Sequence, residues 1–290
     1  MTGLVLAAGI GKRLAPLTED RPKGLIELGG RSLLARLLDG LQTAGVHETV
    51  LVVGYRQEMI RAALGHLHRG MPLRYVVNPD FEKGPRLSLW AGHAEFLRDD
   101  VVLADGDVLF APSLLERVVR AAAANVFLGE PDFVDTGEEI NLYRAGDRVV
   151  GLRRGVSGPP AAPYDARAEW VGFVKVGRAT GAALTATLGA MVGRGQVDGD
   201  YEVAIDSLLD THPFVMCPTG GLPWVEIDFP QDLRPPRRRS CRGSSGWPAT
   251  RRNRRAPIPL FRRPDIPTVR KSLARAPSRE PRIASTSRST

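Results

Sequence analysis

The chain has 290 residues, 43% of them hydrophobic, and a formal net charge of +8, a length that suits one large domain or two small ones. The charge is unevenly placed: Arg234 to Thr290 carries 17 lysines and arginines against Asp265 and Glu280, a net +15, which leaves 23 basic and 30 acidic residues, a net −7, in Met1 to Leu233. An acidic body with a basic tail is not a basic protein throughout, and its two cysteines, Cys217 and Cys241, exclude a disulfide framework or a cysteine metal cluster. The amino terminus has no charged segment ahead of its apolar residues, and no apolar run approaches the length that spans a bilayer, so a soluble, cytoplasmic protein with no membrane span is expected.

Leu4 to Leu6 is a short apolar run, predicted as a buried strand, that empties into Ala7, Ala8 and Gly9 and a turn at Gly11. Lys12 and Arg13 follow the glycines and Lys23 follows Pro22, so backbone N–H groups and three cations converge as a polyphosphate requires. Neither familiar phosphate loop is present: Leu14 stands where a dinucleotide fingerprint needs its third small residue, and no Gly-Lys-Ser/Thr follows. Ser32 to Ala44 has leucines at helical spacing with Gly45 as its stop, Glu48 to Val53 reads as a strand, Tyr55 to Leu67 as a helix and Leu73 to Val77 as a strand. That alternation predicts a parallel sheet with crossover helices, and ligands on such sheets sit at the carboxyl ends of the strands.

Lys83 to Leu89 leads into a helix expected to run to about Leu97, and Val101 to Ala104 is a strand entering Asp105-Gly106-Asp107. Paired carboxylates at a strand end suit a hard divalent cation, and Asp and Gly equally suit a solvated turn. Leu114 to Ala123 reads as a helix and Asn125 to Leu128 as a strand; Glu139 to Tyr143 and Arg148 to Leu152 read as a hairpin about Gly146-Asp147, an antiparallel insertion expected to form a lid. Glu169 to Val176 is a strand whose Gly172 could admit a ligand near the backbone, Ala179 to Val192 and Tyr201 to Leu209 are helical, and Pro213 to Cys217 and Leu222 to Asp228 are strands. Glu226 and Asp228 are two apart and share a strand face, as cation ligands or on an exposed edge.

The first 28 residues resemble the signature of the nucleotidyltransferases of the sugar-phosphate pyrophosphorylase and phospho-alcohol cytidylyltransferase superfamily, LAAGxGxRLxPLTxxxPKxLxxL, with Leu6, Ala7, Ala8, Gly9, Gly11, Arg13, Leu14, Pro16, Leu17, Thr18, Pro22, Lys23 and Leu25 in register. The resemblance covers about Met1 to Leu233 and implies a three-layer, GT-A-like (Rossmann-like), mostly parallel α/β domain. It also implies a reaction in which an NTP and a phosphorylated small molecule give a nucleoside diphosphate adduct and pyrophosphate. Arg13 and Lys23 would be catalytic; Leu6, Ala7, Ala8, Gly9, Gly11, Lys12, Ser88 and Asp105 would hold the nucleotide; Asp107 and Asp228 would ligate Mg²⁺; and Trp170, Gly172, Glu202 and Glu226 would meet the acceptor. Asp228 followed by Gln231-Asp232-Leu233 is similar to the late metal-ligand strand and helix start of these enzymes. Lys83-Gly84 with Leu87-Ser88-Leu89, and Phe133 to Glu139, look more like the cytidylyltransferases that use phosphocholine or inositol phosphate than like the sugar-phosphate enzymes, so CTP is the expected nucleotide. Ser88 would read cytosine or cap its helix.

Trp90, Tyr143, Tyr164, Trp170 and Trp224 could cage a quaternary ammonium or pack in the core. The five histidines, His47, His66, His68, His93 and His212, are scattered and carry no expected role. Asp105-Gly106-Asp107 is also the DxD arrangement of glycosyltransferases, which lack the Arg13 and Pro22-Lys23 features. The Arg/Pro/Ser-rich stretch 234–290 lacks apolar periodicity and is expected to be a disordered tail. Three readings stay open for it: an arm for RNA or anionic lipid, a solubilising tail, or a changed reading frame in place of a final helix. No motif supports specific nucleic-acid recognition.

Overall fold

The centre of the sheet is set by strands with large apolar side chains on both faces. Leu4, Val50, Val52, Val101 and Leu103 enter one core layer, while Val5, Leu51, Val53, Val102 and Ala104 enter the other. Strands buried on both faces need helices on both sides. The computed structural model describes residues 1–233; the stretch 234–290, with the readings made of it above, lies outside the described residues.

The chain runs β1 (Thr2–Ala7), α1 (Leu33–Ala44), β2 (Glu48–Val53), α2 (Gln57–Leu64), β3 (Leu67–His68), β4 (Met71–Val77), α3 (Pro85–Ala91), α4 (Glu95–Arg98) and β5 (Val101–Asp105). It continues through β6 (Val108–Phe110), α5 (Ser113–Arg120), β7 (Val126–Glu130), β8 (Ile140–Ala145), β9 (Arg148–Arg154) and β10 (Ala166–Val176), and closes with α6 (Arg178–Gly193), α7 (Glu202–Asp206), β11 (Phe214–Pro218) and β12 (Trp224–Glu226). Leucines of α1 and α5 fill one layer; Leu89, Phe96, Leu184, Leu188 and Ile205 from α3, α4, α6 and α7 fill the other. No helix among the described residues is long and apolar enough to cross a membrane.

The main sheet has the order β3-β4-β2-β1-β5-β10-β7-β11-β9-β8. β4, β2, β1 and β5 pair in parallel, as expected. Beyond them the expectation of a mostly parallel sheet needs correction, because β10 pairs antiparallel with β5, β7 and β8 and the sheet is mixed. β10 follows the β8–β9 hairpin through the 155–165 loop and pairs with β8, not with β9. The hairpin itself is built into the sheet, since β9 pairs with β11 and β8 with β10, so β7, β11, β9, β8 and β10 form a ring of strands.

Helix limits differ from the expected ones for identifiable reasons. α2 starts after Arg56, which adopts a left-handed conformation (φ 45°), and stops at Gly65, leaving Leu67 to pair with β4. The helix expected to reach Leu97 breaks at Gly92, whose missing Cβ would lie 2.8 Å from Leu4: close packing on β1 selects glycine there. The helix expected over Tyr201 to Leu209 is helical only at Glu202–Asp206. Ser88 lies inside α3, whose N-cap is Gly84, so the capping alternative does not hold.

Candidate active site

The site is assembled where the loop after β1 meets the turn after β5 and the end of β12. Gly11 is left-handed (φ 71°), and a Cβ on it would sit 3.0 Å from the Cβ of Lys23, so glycine lets the two arms of the loop close on each other. Thr18 Oγ1 donates to the Gly11 carbonyl at 2.9 Å and fixes that closure. Leu14, the residue that spoils a dinucleotide fingerprint, is fully buried with Ile26, Leu33 and Ile227 in a small separate core. That cluster clamps the loop onto the end of β12 and brings Arg13 and Lys23 to Asp228.

β12 pairs antiparallel with β6, Glu226 opposite Val108, and the Ile227 N–H donates to the Asp107 carbonyl at 3.1 Å. Segments about a hundred residues apart are thereby fixed side by side. Asp232 completes the turn by accepting from the N–H groups of Asp228 and Phe229 at 3.0 and 2.7 Å. On the β5 side Gly106 donates its N–H to the Leu6 carbonyl at 3.0 Å, and a Cβ there would lie 2.8 Å from the same oxygen, so only glycine fits between Asp105 and Asp107.

Lys23 Nζ lies 2.8 Å from Asp107 Oδ2 and 2.6 Å from Asp228 Oδ1. Arg13 donates to Asp228 Oδ2 at 2.5 Å and stands 3.5 Å from Glu138. Burial opposes the charge on Lys23, but the two facing carboxylates outweigh it and hold its pKa above the ordinary lysine range. Asp107, Glu226 and Asp228 each offer a carboxylate oxygen within 4.8 Å of the others, and Asp107 Oδ1 is buried without a hydrogen-bond partner. A hard, all-oxygen donor set with one orphaned oxygen fits a divalent cation such as Mg²⁺. Although Glu226 opens to solvent, the protein packed around it, and then the charges of Asp107 and Asp228, push it up to about 8.

Beside this cluster lies a cavity of about 460 Å³. The four residues expected to meet an acceptor, Trp170, Gly172, Glu202 and Glu226, all line it, together with Arg13, Asp105 and Asp228. Asp105 accepts from the Tyr201 hydroxyl at 3.1 Å and faces Gly172, whose absent Cβ would come within 3.1 Å of Asp105 Oδ2 at φ 86°. Burial first, then Asp107, Glu202 and Glu226, hold its carboxyl well above the usual range. Leu6, Ala7, Ala8, Gly9, Gly11, Lys12 and Ser88 do not line this cavity. Leu6 to Gly11 lie at the carboxyl end of β1, Lys12 is exposed, and Gly9 has open space where a side chain would be. Ser88 is buried and accepts from Asn78 Nδ2 at 3.0 Å.

Arg154 and Glu169 are among the cavity residues that sequence reasoning missed. Arg154 donates to Asp200 at 3.0 Å and to the Glu138 carbonyl at 2.6 Å. Glu169 is the one carboxylate of β10, next to Trp170, and that was the available signal for it. Burial, then Glu139, Glu130 and Asp135, push Glu169 up to about 7, and burial takes Glu202 to about 7. Of the five aromatic side chains considered for a cage, Trp170 and Trp224 reach the cavity; Trp90 stacks on His93 at 4.0 Å and Tyr143 meets Tyr164 at 4.8 Å.

Comparison with known proteins bears on the family and the fold. The profile of the MobA-like NTP transferase domain matches residues 3–135. The chain is 34% identical over 236 residues to the CMP-5'-(3-aminopropyl)phosphonate synthase of Streptomyces rubellomurinus, covering 80% of this chain and 37% of that one. It is 30% identical over 211 residues to the N-acetylmuramate alpha-1-phosphate uridylyltransferase of Caulobacter vibrioides, covering 62% of this chain and 87% of that one. The chain spans half or less of the length of the first curated relatives it matches. Its fold is similar to the inositol-1-phosphate CTP transferase from T. maritima, with a TM-score of 0.66, 24% identity, and coverage of 80% of this chain and 91% of that one.

Proposed function

This chain belongs to the nucleotidyltransferase family, and from that premise we propose that it transfers a nucleoside monophosphate, CMP from CTP, onto a phosphorylated small alcohol such as phosphocholine or inositol phosphate and releases pyrophosphate. The observation that carries the reading is the bridge from Lys23 Nζ to Asp107 and Asp228, with Arg13 on the same Asp228.

A phosphate oxygen of the acceptor attacks the α-phosphorus in line, its new P–O bond replaces the bond to the β-phosphate, and the electron pair leaves on pyrophosphate. A phosphate is already ionised at neutral pH, so no general base is required, in keeping with a site that holds no histidine among its described residues. The protein must align two anions and compensate their charge. Lys23 has three N–H donors; two are used on Asp107 and Asp228, and the third is available to phosphate oxygens between donor and acceptor. Arg13 would bind the β and γ phosphates, and the backbone from Leu6 to Gly11, with Lys12, would receive base, ribose and phosphate. Asp107 and Asp228, with Glu226 beside them, would hold Mg²⁺, which supplies charge neutralisation and polarisation of the α-phosphorus. Asp105 would act from the nucleotide's edge and Ser88 from the base side. The loop ahead of β8, with Thr136, Glu138 and Glu139 in the cavity wall, would act as the lid of a GT-A-like domain.

A sugar 1-phosphate is the alternative acceptor, favoured by the uridylyltransferase likeness. Pyrophosphate release with CTP, UTP, dTTP, GTP and ATP, each against phosphocholine, inositol phosphate and hexose phosphates, separates the readings. Preference for CTP with a phosphorylated alcohol is expected; preference for UTP or dTTP with a hexose 1-phosphate moves the enzyme to the sugar-nucleotide branch; no release with any pair overturns the proposal.

A further inference from the structure

Arg86 stands in the first turn of α3 and is only 8% exposed, yet it takes part in no salt bridge among the described residues. Its guanidinium is turned to backbone: Nη1 donates to the Gln196 carbonyl at 2.9 Å and Nη2 to the Asp200 carbonyl at 3.0 Å, while the Arg86 N–H donates to the Gly199 carbonyl at 3.3 Å. Two glycines let the segments meet. A Cβ on Gly84 would lie 3.2 Å from the Gly199 nitrogen and one on Gly199 3.3 Å from Arg86 Nη2, and both residues have positive φ, 118° and 97°. Burying a guanidinium is costly, and apolar side chains of similar volume commonly fill such places with less loss. A charge kept there for two carbonyls points to a demand on where that backbone lies.

The stretch held in this way, 194–201, joins α6 to α7 with no helix or strand of its own, and it leads two residues to the cavity. Tyr201, 2% exposed, donates to the Asp105 carboxylate, 3.1 Å from Oδ1 and 3.3 Å from Oδ2, and Glu202 follows it in the cavity wall. The Tyr201 ring stands edge-on to Trp170 at 5.8 Å, so its place also bears on a further lining side chain. Arg154 grips the same stretch by a second route, through the Asp200 carboxylate at 3.0 Å. Arg86 itself does not line the cavity. We infer that Arg86 is a positioning residue: by fixing the 196–200 backbone it sets the Tyr201 hydroxyl on Asp105 and Glu202 in the wall that an acceptor would meet. The kinetic consequence rests on the nucleotidyl-transfer reading of the same cavity.

The test is a double-mutant cycle in the full chain. Arg86→Lys keeps the charge, but its single nitrogen cannot span the two carbonyls as the fork does; Tyr201→Phe removes only the hydroxyl. Pyrophosphate release is measured with Mg²⁺ and CTP, UTP, dTTP, GTP or ATP against phosphocholine, inositol phosphate and hexose phosphates, and the pair that the wild type uses best gives kcat/KM for the acceptor. Each single variant is expected to lose about tenfold, and the double variant no more than about threefold beyond either, because both substitutions undo the same placement. Losses that multiply to about a hundredfold in the double variant would show that Arg86 only supports the fold, and overturn the inference. Hydrogen exchange of the 194–202 amides needs no substrate: Arg86→Lys should exchange there at least about tenfold faster than wild type, with the amides of β1 and β2 unchanged. Exchange as slow as in wild type overturns the inference as well. Gly199→Ala, which crowds Arg86 Nη2 from the loop side, takes the place of Arg86→Lys in both measurements if that variant does not fold. No release by the wild type with any pair takes down the nucleotidyl-transfer reading, and exchange then decides the positioning by itself.

Discussion

The two ends of the cleft use the same kind of side chain to opposite effect. At the Lys23 end, Asp107 and Asp228 arrive from distant segments and are bound to cations already in the protein; at the other end Glu169 and Glu202 form no salt bridge among the described residues, although the charges of Arg154 and Arg86 act on Glu202. The difference teaches that charge in this site is divided between two roles. One end pairs its carboxylates with cations, and the other keeps buried carboxyls protonated up to about 7.

The sharpest way to break that comparison is at the Lys23 end. Asp107→Ala and Lys23→Ala are each expected to lose at least about two orders of magnitude in turnover, as removal of one group stabilising transition-state charge does; pyrophosphate release near the wild-type rate in either variant would dissolve the distinction. At the Glu202 end the expected signature is pH dependence. Glu202 holds its proton to about 7 in the folded chain against an ordinary 4.5. As pH rises, the unfolded chain therefore ionises first, and the folded state loses stability across that window, by at most about 3 kcal/mol for so buried a group. Below the ordinary value there is no loss. Thermal unfolding of Glu202→Gln should fall less than wild type between about pH 5 and about pH 8, and identical slopes would contradict the burial of that carboxyl.

Smaller effects test what joins the ends. Gly106→Ala sets a Cβ against the Leu6 carbonyl and should cost about 1–3 kcal/mol in chemical denaturation, with turnover reduced because Asp107 moves with it; full stability would show that the turn has slack. Ser88→Ala leaves Asn78 Nδ2 without its acceptor and should cost about 1 kcal/mol. If Ser88 also reads the base, that variant loses preference for CTP, which the same nucleotide panel measures.

How much of this was legible in the sequence follows the physics of each part. β2 and α1 match their expected limits almost to the residue, because doubly buried strands and a leucine-spaced helix with Ser32 and Gly45 at its ends are written locally. Arg13, Lys23, Asp107 and Asp228, singled out by the resemblance to the family signature, do meet in the structure. β6, three residues long, was missed because it exists only by pairing with β12 more than a hundred residues later. The antiparallel placement of β10 and the ring that holds Glu169 and Arg154 depend on which strand edges meet, and no local pattern records that. Leu14 is the instructive case: it read as a departure from one loop type, and its burial against Ile227 joins the two halves of the site.

The most direct measurement follows the α-phosphorus itself. With CTP labelled at that atom, Mg²⁺ and a panel of phosphorylated acceptors, the account predicts that the label moves into a CMP–acceptor adduct while the β and γ phosphates leave together as pyrophosphate. Label that stays in CTP, or terminal phosphate released as orthophosphate with no adduct formed, would contradict it.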